Sequence, residues 1–258
     1  MRPGGTGPMV ELTFTALGGD RGSRELLLLG PSLGTGVATL WEQCVPRLAE
    51  DREVVGWDLP GHGNGPSTTA SFSIADLAAA VRGFAVEHGE GRRVRYAGVS
   101  VGGAVGFELA LDPGPVADVA TLASAPRIAE ADVWAERIEL VRRGGTSAVV
   151  AGSAQRWFAP GFAERQPRVV GRLLDELVAV DDTSYTLVCA ALADFDLRER
   201  IGEARVPLAS YVGEHDAVVP PSQLPEATVI RGVAHLPPAE DPATVIDDLE
   251  DQWATTTA

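Results

Sequence analysis

The stretch Gly98-Val99-Ser100-Val101-Gly102 constrains this chain more than any other. It follows the strand-like run Arg95-Tyr96-Ala97 and opens at once into Gly103–Leu111, which reads as a helix. Strand, glycine-flanked serine and helix describe a turn so tight that the residues two before and two after the serine have no room for side chains. Such a turn pushes the serine Oγ out at the end of a strand, beside the positive end of the following helix. The chemistry this points to is acyl transfer through an activated serine.

The chain holds a second match, Gly30-Pro31-Ser32-Leu33-Gly34, after the apolar strand Leu26–Leu29. Here Gly34 and Gly36 delay any helix and Pro31 precedes the serine, whereas helical pattern starts directly after Ser100. Ser100 is therefore read as the nucleophile and Ser32 as its competitor. An acid and a histidine are then expected downstream, in that order. Of the four histidines, His62, His88, His215 and His235, only the last two lie beyond Ser100. The buried strand Val206–Gly213 runs into Glu214-His215-Asp216, and the short strand Ala227–Arg231 leads to Gly232-Val233-Ala234-His235. His235 is expected as general base and Asp216 as the acid that fixes its tautomer. Glu214 competes with Asp216, which lies further beyond the strand end, and His215 is read as structural. The backbone N–H groups of Val101 and Leu33 are expected to hold the oxyanion, with the glycines of the second match letting backbone approach the substrate.

The alternation of patterns predicts strands near 10–15, 25–30, 53–57, 94–98, 117–123, 206–212 and 227–231, with helices near 38–49, 74–88 and 103–111. This implies an α/β fold with a mostly parallel sheet covered by helices on both faces. A single domain is expected over 1–258, with its core at about 10–125 and 201–255 and a helical lid at about 126–200 inserted before the late strands. In the lid, Trp134, Trp157 and Phe158 are candidates to line the pocket. Asp58 and His62 fall on a loop at the carboxyl edge and are read as closing it.

A formal charge of −15 argues against nucleic-acid partners and anionic membranes, which repay basic patches. All 21 basic residues are arginine, which excludes lysine Schiff-base chemistry and Walker-type phosphate binding. Cys44 and Cys189 lie outside any metal spacing and read as reduced buried thiols, so neither metal nor cofactor is expected. No apolar run approaches the roughly 20 residues of a membrane span. The start Met1-Arg2-Pro3-Gly4-Gly5 has no apolar leader, so a cytoplasmic location is expected.

Ser32–Thr35, Asp58 with Gly61-His62-Gly63, and Gly98–Gly103 resemble the α/β-hydrolases. The middle of the chain narrows this. Ala125–Ile128, Val133-Trp134, Arg137-Ile138, Arg156-Trp157-Phe158 with Pro160, Tyr185 with Cys189–Leu192, and Asp196-Leu197-Arg198 resemble the 3-oxoadipate enol-lactonases of the β-ketoadipate pathway. Gly213–Asp216 and Pro220-Pro221 continue a likeness that covers about residues 10–245. Only eighteen residues separate Asp216 from His235, and Pro220–Pro225 stands where those enzymes carry a helix. The resemblance implies an α/β-hydrolase fold and a cofactor-independent serine hydrolase acting on a small lactone, 3-oxoadipate enol-lactone first. That substrate carries a carboxylate, for which Arg127 is the first candidate partner and Arg156 the second. Another small-molecule carboxylesterase or lactonase is the nearest alternative, and a non-turnover ligand receptor a more distant one.

Overall fold

Runs of leucine and valine without polar interruption sit in the middle strands because those strands are covered on both sides. The computed structural model describes residues 10–257; the Met1–Gly5 start, read above for its lack of a leader, lies outside them. Seven strands are described: β1 (Thr13–Gly18), β2 (Glu25–Gly30), β3 (Glu53–Asp58), β4 (Arg93–Val99), β5 (Val116–Leu122), β6 (Leu208–Gly213) and β7 (Thr228–Ile230). They form one sheet in the order β1-β3-β2-β4-β5-β6-β7, parallel throughout except that β1 runs antiparallel to β3. In β4 every residue after Arg93 is buried, including those on alternate faces.

The helices are α1 (Val37–Trp41), α2 (Val45–Leu48), α3 (Ile74–His88), α4 (Val101–Leu111), α5 (Ala131–Gly144), α6 (Val150–Trp157), α7 (Phe162–Arg165), α8 (Pro167–Ala179), α9 (Asp182–Asp194), α10 (Pro237–Glu240) and α11 (Pro242–Thr257). Helices α5–α9 fill the connection between β5 and β6, the stretch in which helical periodicity is expected. Among the described residues, no helix is long and apolar enough to cross a membrane.

Two expectations need correction. The single helix at 38–49 is two short ones, because Pro46 has no N–H to continue the ladder and sits instead in the first turn of α2. The first strand runs over 13–18 rather than 10–15, because pairing with β3 sets its register, Thr13 facing Asp58 and Gly18 facing Val54. The other strands fall within a few residues of their predicted ends.

Helix α8 fastens the helical segment to the sheet. It buries Val170, Leu173 and Leu177. Its Glu176 carboxylate accepts from the Gly36 N–H at 2.8 Å and from the Thr39 hydroxyl. Asp58 does the same from the sheet side, accepting from Val37 N–H at 2.8 Å and Asn64 N–H at 3.1 Å, which closes the 61–65 turn. Burial raises Glu176 above the usual carboxylate range, and the Asp58 charge adds to this against the bonds from Thr39 and Gly36. A carboxyl raised in the folded state contributes most below its ordinary pKa, and loses that contribution as pH climbs through the raised value. Urea unfolding of wild type and Glu176→Gln at pH 5 and pH 8 should therefore show wild type losing ground to the variant at the higher pH. A difference that does not change with pH would contradict this account.

Candidate active site

The backbone at Ser100 is strained, with φ 53° and ψ −112°, a region that L-residues rarely adopt. Strand β4 enters the turn and α4 leaves it, and the flanking glycines are required by contact. A Cβ on Gly98 would lie 2.4 Å from the Gly102 carbonyl, and one on Gly102 would lie 2.6 Å from the Pro31 carbonyl oxygen. Ser100 sits nearly buried at the carboxyl end of the sheet, which is where open parallel sheets place their sites.

The loops after β6 and β7 deliver the other two groups. His235 Nε2 lies 3.0 Å from Ser100 Oγ, and its Nδ1 lies 2.9 Å from Asp216 Oδ2. A carboxylate only accepts, so Nδ1 carries the proton and Nε2 is left to accept from the serine hydroxyl. Asp216 is itself held: its Oδ1 accepts from Val218 N–H at 2.8 Å and Val219 N–H at 3.0 Å. Asp216 and His235 are each 3 % exposed. Glu214 is turned elsewhere, accepting from Gly232 N–H at 2.9 Å, and His215 is largely exposed beside it. The proline-rich segment before His235 forms only a single 3₁₀ turn, Pro221–Gln223, yet His235 still reaches Ser100.

Among the described residues, neither the Leu33 nor the Val101 N–H donates to a protein acceptor. Val101 opens α4, so its N–H belongs to the first turn that the helix leaves unpaired. Ser32 lies in a turn closed by Thr35 N–H to the Ser32 carbonyl at 3.2 Å, and no helix begins before Val37. The two serine matches are thus different structures: the first is a turn beside the site, the second the strained strand–helix junction.

The pocket candidates separate. Trp157 packs on the loop after β2, its ring atoms 3.2 Å from where a Gly34 Cβ would stand. Its carbonyl accepts from the His235 N–H at 3.1 Å. Phe158 meets the Trp157 ring edge-on. Trp134 is buried in α5 with the Arg137 guanidinium 5.6 Å over its ring. Arg127 is already neutralised, with Asp196 at 3.1 Å and Glu130 at 2.9 Å. Arg156 is not: among the described residues neither it nor Arg137 has a carboxylate within ion-pair distance. Burial lowers Arg156, and the neighbouring Arg137 charge lowers it further. Burial pushes the Tyr185 phenol up to about 12, with Arg137 opposing. Sequence reading passed over Arg137 as a site residue, although its place three residues after Trp134 on one helix was a usable signal.

His62 is buried, and burial pushes it down to about 4, so it is neutral at pH 7 and its Nδ1 donates to the Pro60 carbonyl at 2.9 Å. Cys44 and Cys189 are free and buried, and burial pushes both thiols up to about 12. Among the described residues, no group of three or more His, Cys, Asp or Glu is arranged to hold a metal ion.

A mostly parallel sheet whose carboxyl edge gathers a strained serine, a histidine and an acid defines a hydrolase. The chain belongs to the alpha/beta hydrolase family, whose sequence profile matches residues 26–248. It is 30% identical to the 3-oxoadipate enol-lactonase 2 of Acinetobacter baylyi over 210 residues, covering 81% of this chain and 77% of that protein. With 3-oxoadipate enol-lactonase 1 of the same organism it shares 26% identity over 196 residues, 74% of this chain and 71% of the other. Among solved structures it is similar to the enol-lactonase of Burkholderia xenovorans LB400, with a TM-score of 0.88 and 27% identity over 95% of this chain and 97% of that one.

The glycine contacts can be tested directly. Gly98→Ala forces a methyl against the Gly102 carbonyl and should cost about 1–3 kcal/mol in urea unfolding, with slower fluorophosphonate labelling of the protein. Gly83, exposed in α3 with open space at its Cβ position, is the control, and Gly83→Ala should gain up to about 1 kcal/mol. Equal effects at the two positions would show that contact is not the reason for Gly98.

Proposed function

We propose that this protein is a serine hydrolase that opens a small lactone, with 3-oxoadipate enol-lactone as its substrate. The observation that carries the reading is the continuous hydrogen-bonded chain from Ser100 through His235 to Asp216, at 3.0 Å and 2.9 Å. The likeness to enol-lactonases supports the substrate.

His235 Nε2 takes the Ser100 proton as Oγ attacks the lactone carbonyl, and Asp216 stabilises the imidazolium that results. The N–H groups of Leu33 and Val101 hold the oxyanion; a single donor of this kind is worth about 10²–10³ in kcat. Collapse breaks the ring C–O bond. His235 returns the proton to the departing enol oxygen, which ketonises and so does not re-close the ring. Water then attacks the acyl-enzyme, losing its proton to His235, and the carboxylate product leaves as Ser100 is re-protonated. The helical segment 126–200 acts as the lid over these steps, excluding water and shaping the pocket.

The substrate keeps a free carboxylate, and its partner in this reading is the Arg137–Arg156 pair rather than Arg127. Two guanidiniums without carboxylate partners lie in the lid, one of them next in sequence to Trp157, whereas the Arg127 charge is spent on Asp196 and Glu130.

Loss of enol-lactone absorbance should be followed with wild type, Ser100→Ala and Ser32→Ala. Ser100→Ala should lower kcat at least about 10⁴-fold, leaving Ser32→Ala active. Arg137→Gln and Arg156→Gln should raise KM for the anionic lactone but not for a neutral aryl ester. If wild type ignores the lactone and cleaves aryl esters through Ser100, the protein is another esterase of this fold. Fluorophosphonate labelling at Ser100 would weaken the receptor reading, and its failure in folded protein would overturn the hydrolase one.

A further inference from the structure

The loop that carries His235 has little to hold it from its own strand. Strand β7 is three residues long, with Thr228 and Val229 exposed, and Gly232 turns away from it at φ 73°. The support comes from elsewhere. Glu240, the last residue of α10, folds its side chain back so that Oε1 accepts from the Ala234 N–H at 2.8 Å. The other oxygen, Oε2, accepts from the Ala159 N–H at 2.7 Å, just beyond the end of α6. Between these two bonds the His235 N–H donates to the Trp157 carbonyl at 3.1 Å. One carboxylate thus ties the residue before His235 to the helical segment, and that segment also holds the backbone of His235 itself.

We propose that Glu240 is a positioning residue for His235, which seats the imidazole by bridging its loop to the Trp157–Ala159 stretch at the end of α6. The inference rests on His235 being the base of the proposed reaction. Burial disfavours the Glu240 anion, and its backbone N–H donors, Ala159 and Ala234 among them, favour it. A neutral glutamine has only one acceptor oxygen and cannot satisfy both sides of the bridge. A Glu240 anion also interacts with His235, whose Nδ1 is bonded to Asp216, so its charge favours the imidazolium that forms in the reaction. The loop after β6 holds the start of this loop, His215 N–H donating to the Val233 carbonyl at 2.9 Å, and the bridge holds its Ala234–His235 end. Displacing a catalytic group by about 1 Å is enough to cost about 10²-fold.

Glu240→Gln and Glu240→Asp should be compared with wild type in neutral aryl-ester hydrolysis, in the rate of Ser100 labelling by a fluorophosphonate, and in the low-field proton resonance of His235 Nδ1. Glu240→Gln should lower kcat and the labelling rate about 10–100-fold with KM within about twofold. Its low-field resonance should broaden or vanish, and the acidic limb of its kcat/KM profile should move to lower pH because a negative charge beside the imidazole is gone. Glu240→Asp keeps the charge but not the span, so its rate should fall without the shift in that limb. Unchanged labelling, resonance and pH profile in folded Glu240→Gln would overturn the proposal, as would losses that merely follow the folded fraction measured by circular dichroism. The resonance reports the seating of the imidazole whether or not the enzyme turns over. A wild type that shows it without labelling at Ser100 would overturn the hydrolase reading, and the variant's resonance would still decide the role of Glu240.

Discussion

Three stretches of backbone meet at Gly30, Gly98 and Gly102, closer than any side chain would allow, and the site is assembled around that contact. A Cβ on Gly30 would lie 3.1 Å from Gly102 Cα and 3.3 Å from Gly98 Cα. The Gly102 N–H donates to the Pro31 carbonyl at 3.0 Å, and the Tyr96 hydroxyl donates to the Gly102 carbonyl at 2.7 Å. The loop after β2 is thereby locked to the first turn of α4, and the unpaired N–H groups of Leu33 and Val101 are held on one rigid frame. Ser100 carries a backbone strain of about 1–3 kcal/mol. It persists because β4 and α4, both buried, leave the turn no other path.

Around this frame lies a second layer in which carboxylates cross from one part of the chain to another. Glu176 reaches from α8 to Gly36 and Thr39, while Glu240 reaches from α10 to Ala159 and Ala234. Both are raised by burial, which disfavours each anion, while the N–H and O–H donors around each favour it. The helical segment therefore touches both halves of the site, the loop after β2 through α8 and the histidine loop through Trp157 and Ala159.

Net charge and local charge point in opposite directions here. The chain carries −15, which opposes the approach of an anion. Exposed charges are screened over about 8 Å at physiological salt, whereas partly buried cations such as Arg137 and Arg156 are screened less. In the proposed reading Arg137 and Arg156 are the cations set against the substrate carboxylate, even though acids outnumber bases on the chain as a whole, 36 to 21. Arginine suits that place, since it stays charged when partly buried and stacks on an aromatic face such as Trp134.

The sequence by itself determined the parallel sheet, the strained turn at Ser100 and the order serine, acid, histidine. Each of these is a local matter: apolar runs select buried strands, and the glycine-flanked serine makes the strained turn where a helical pattern follows it at once, as after Ser100 and not after Ser32. Its candidates Asp216 and His235 stand within 2.9 Å of each other because each lies just past the end of a parallel strand, where neighbouring loops must meet. What it could not determine was which polar groups are already satisfied. Arg127 reads as a free cation in sequence and is matched in the fold by Asp196, 69 residues away. Arg137 enters the sequence reading only among the residues of the family resemblance, yet it lies against Trp134 without a carboxylate partner among the described residues. Glu240 has no motif that marks it, since one of its two bonds reaches Ala159, 81 residues back along the chain. Pairing of this kind depends on which side chains the folded chain brings within about 3 Å, and only the tertiary structure decides that.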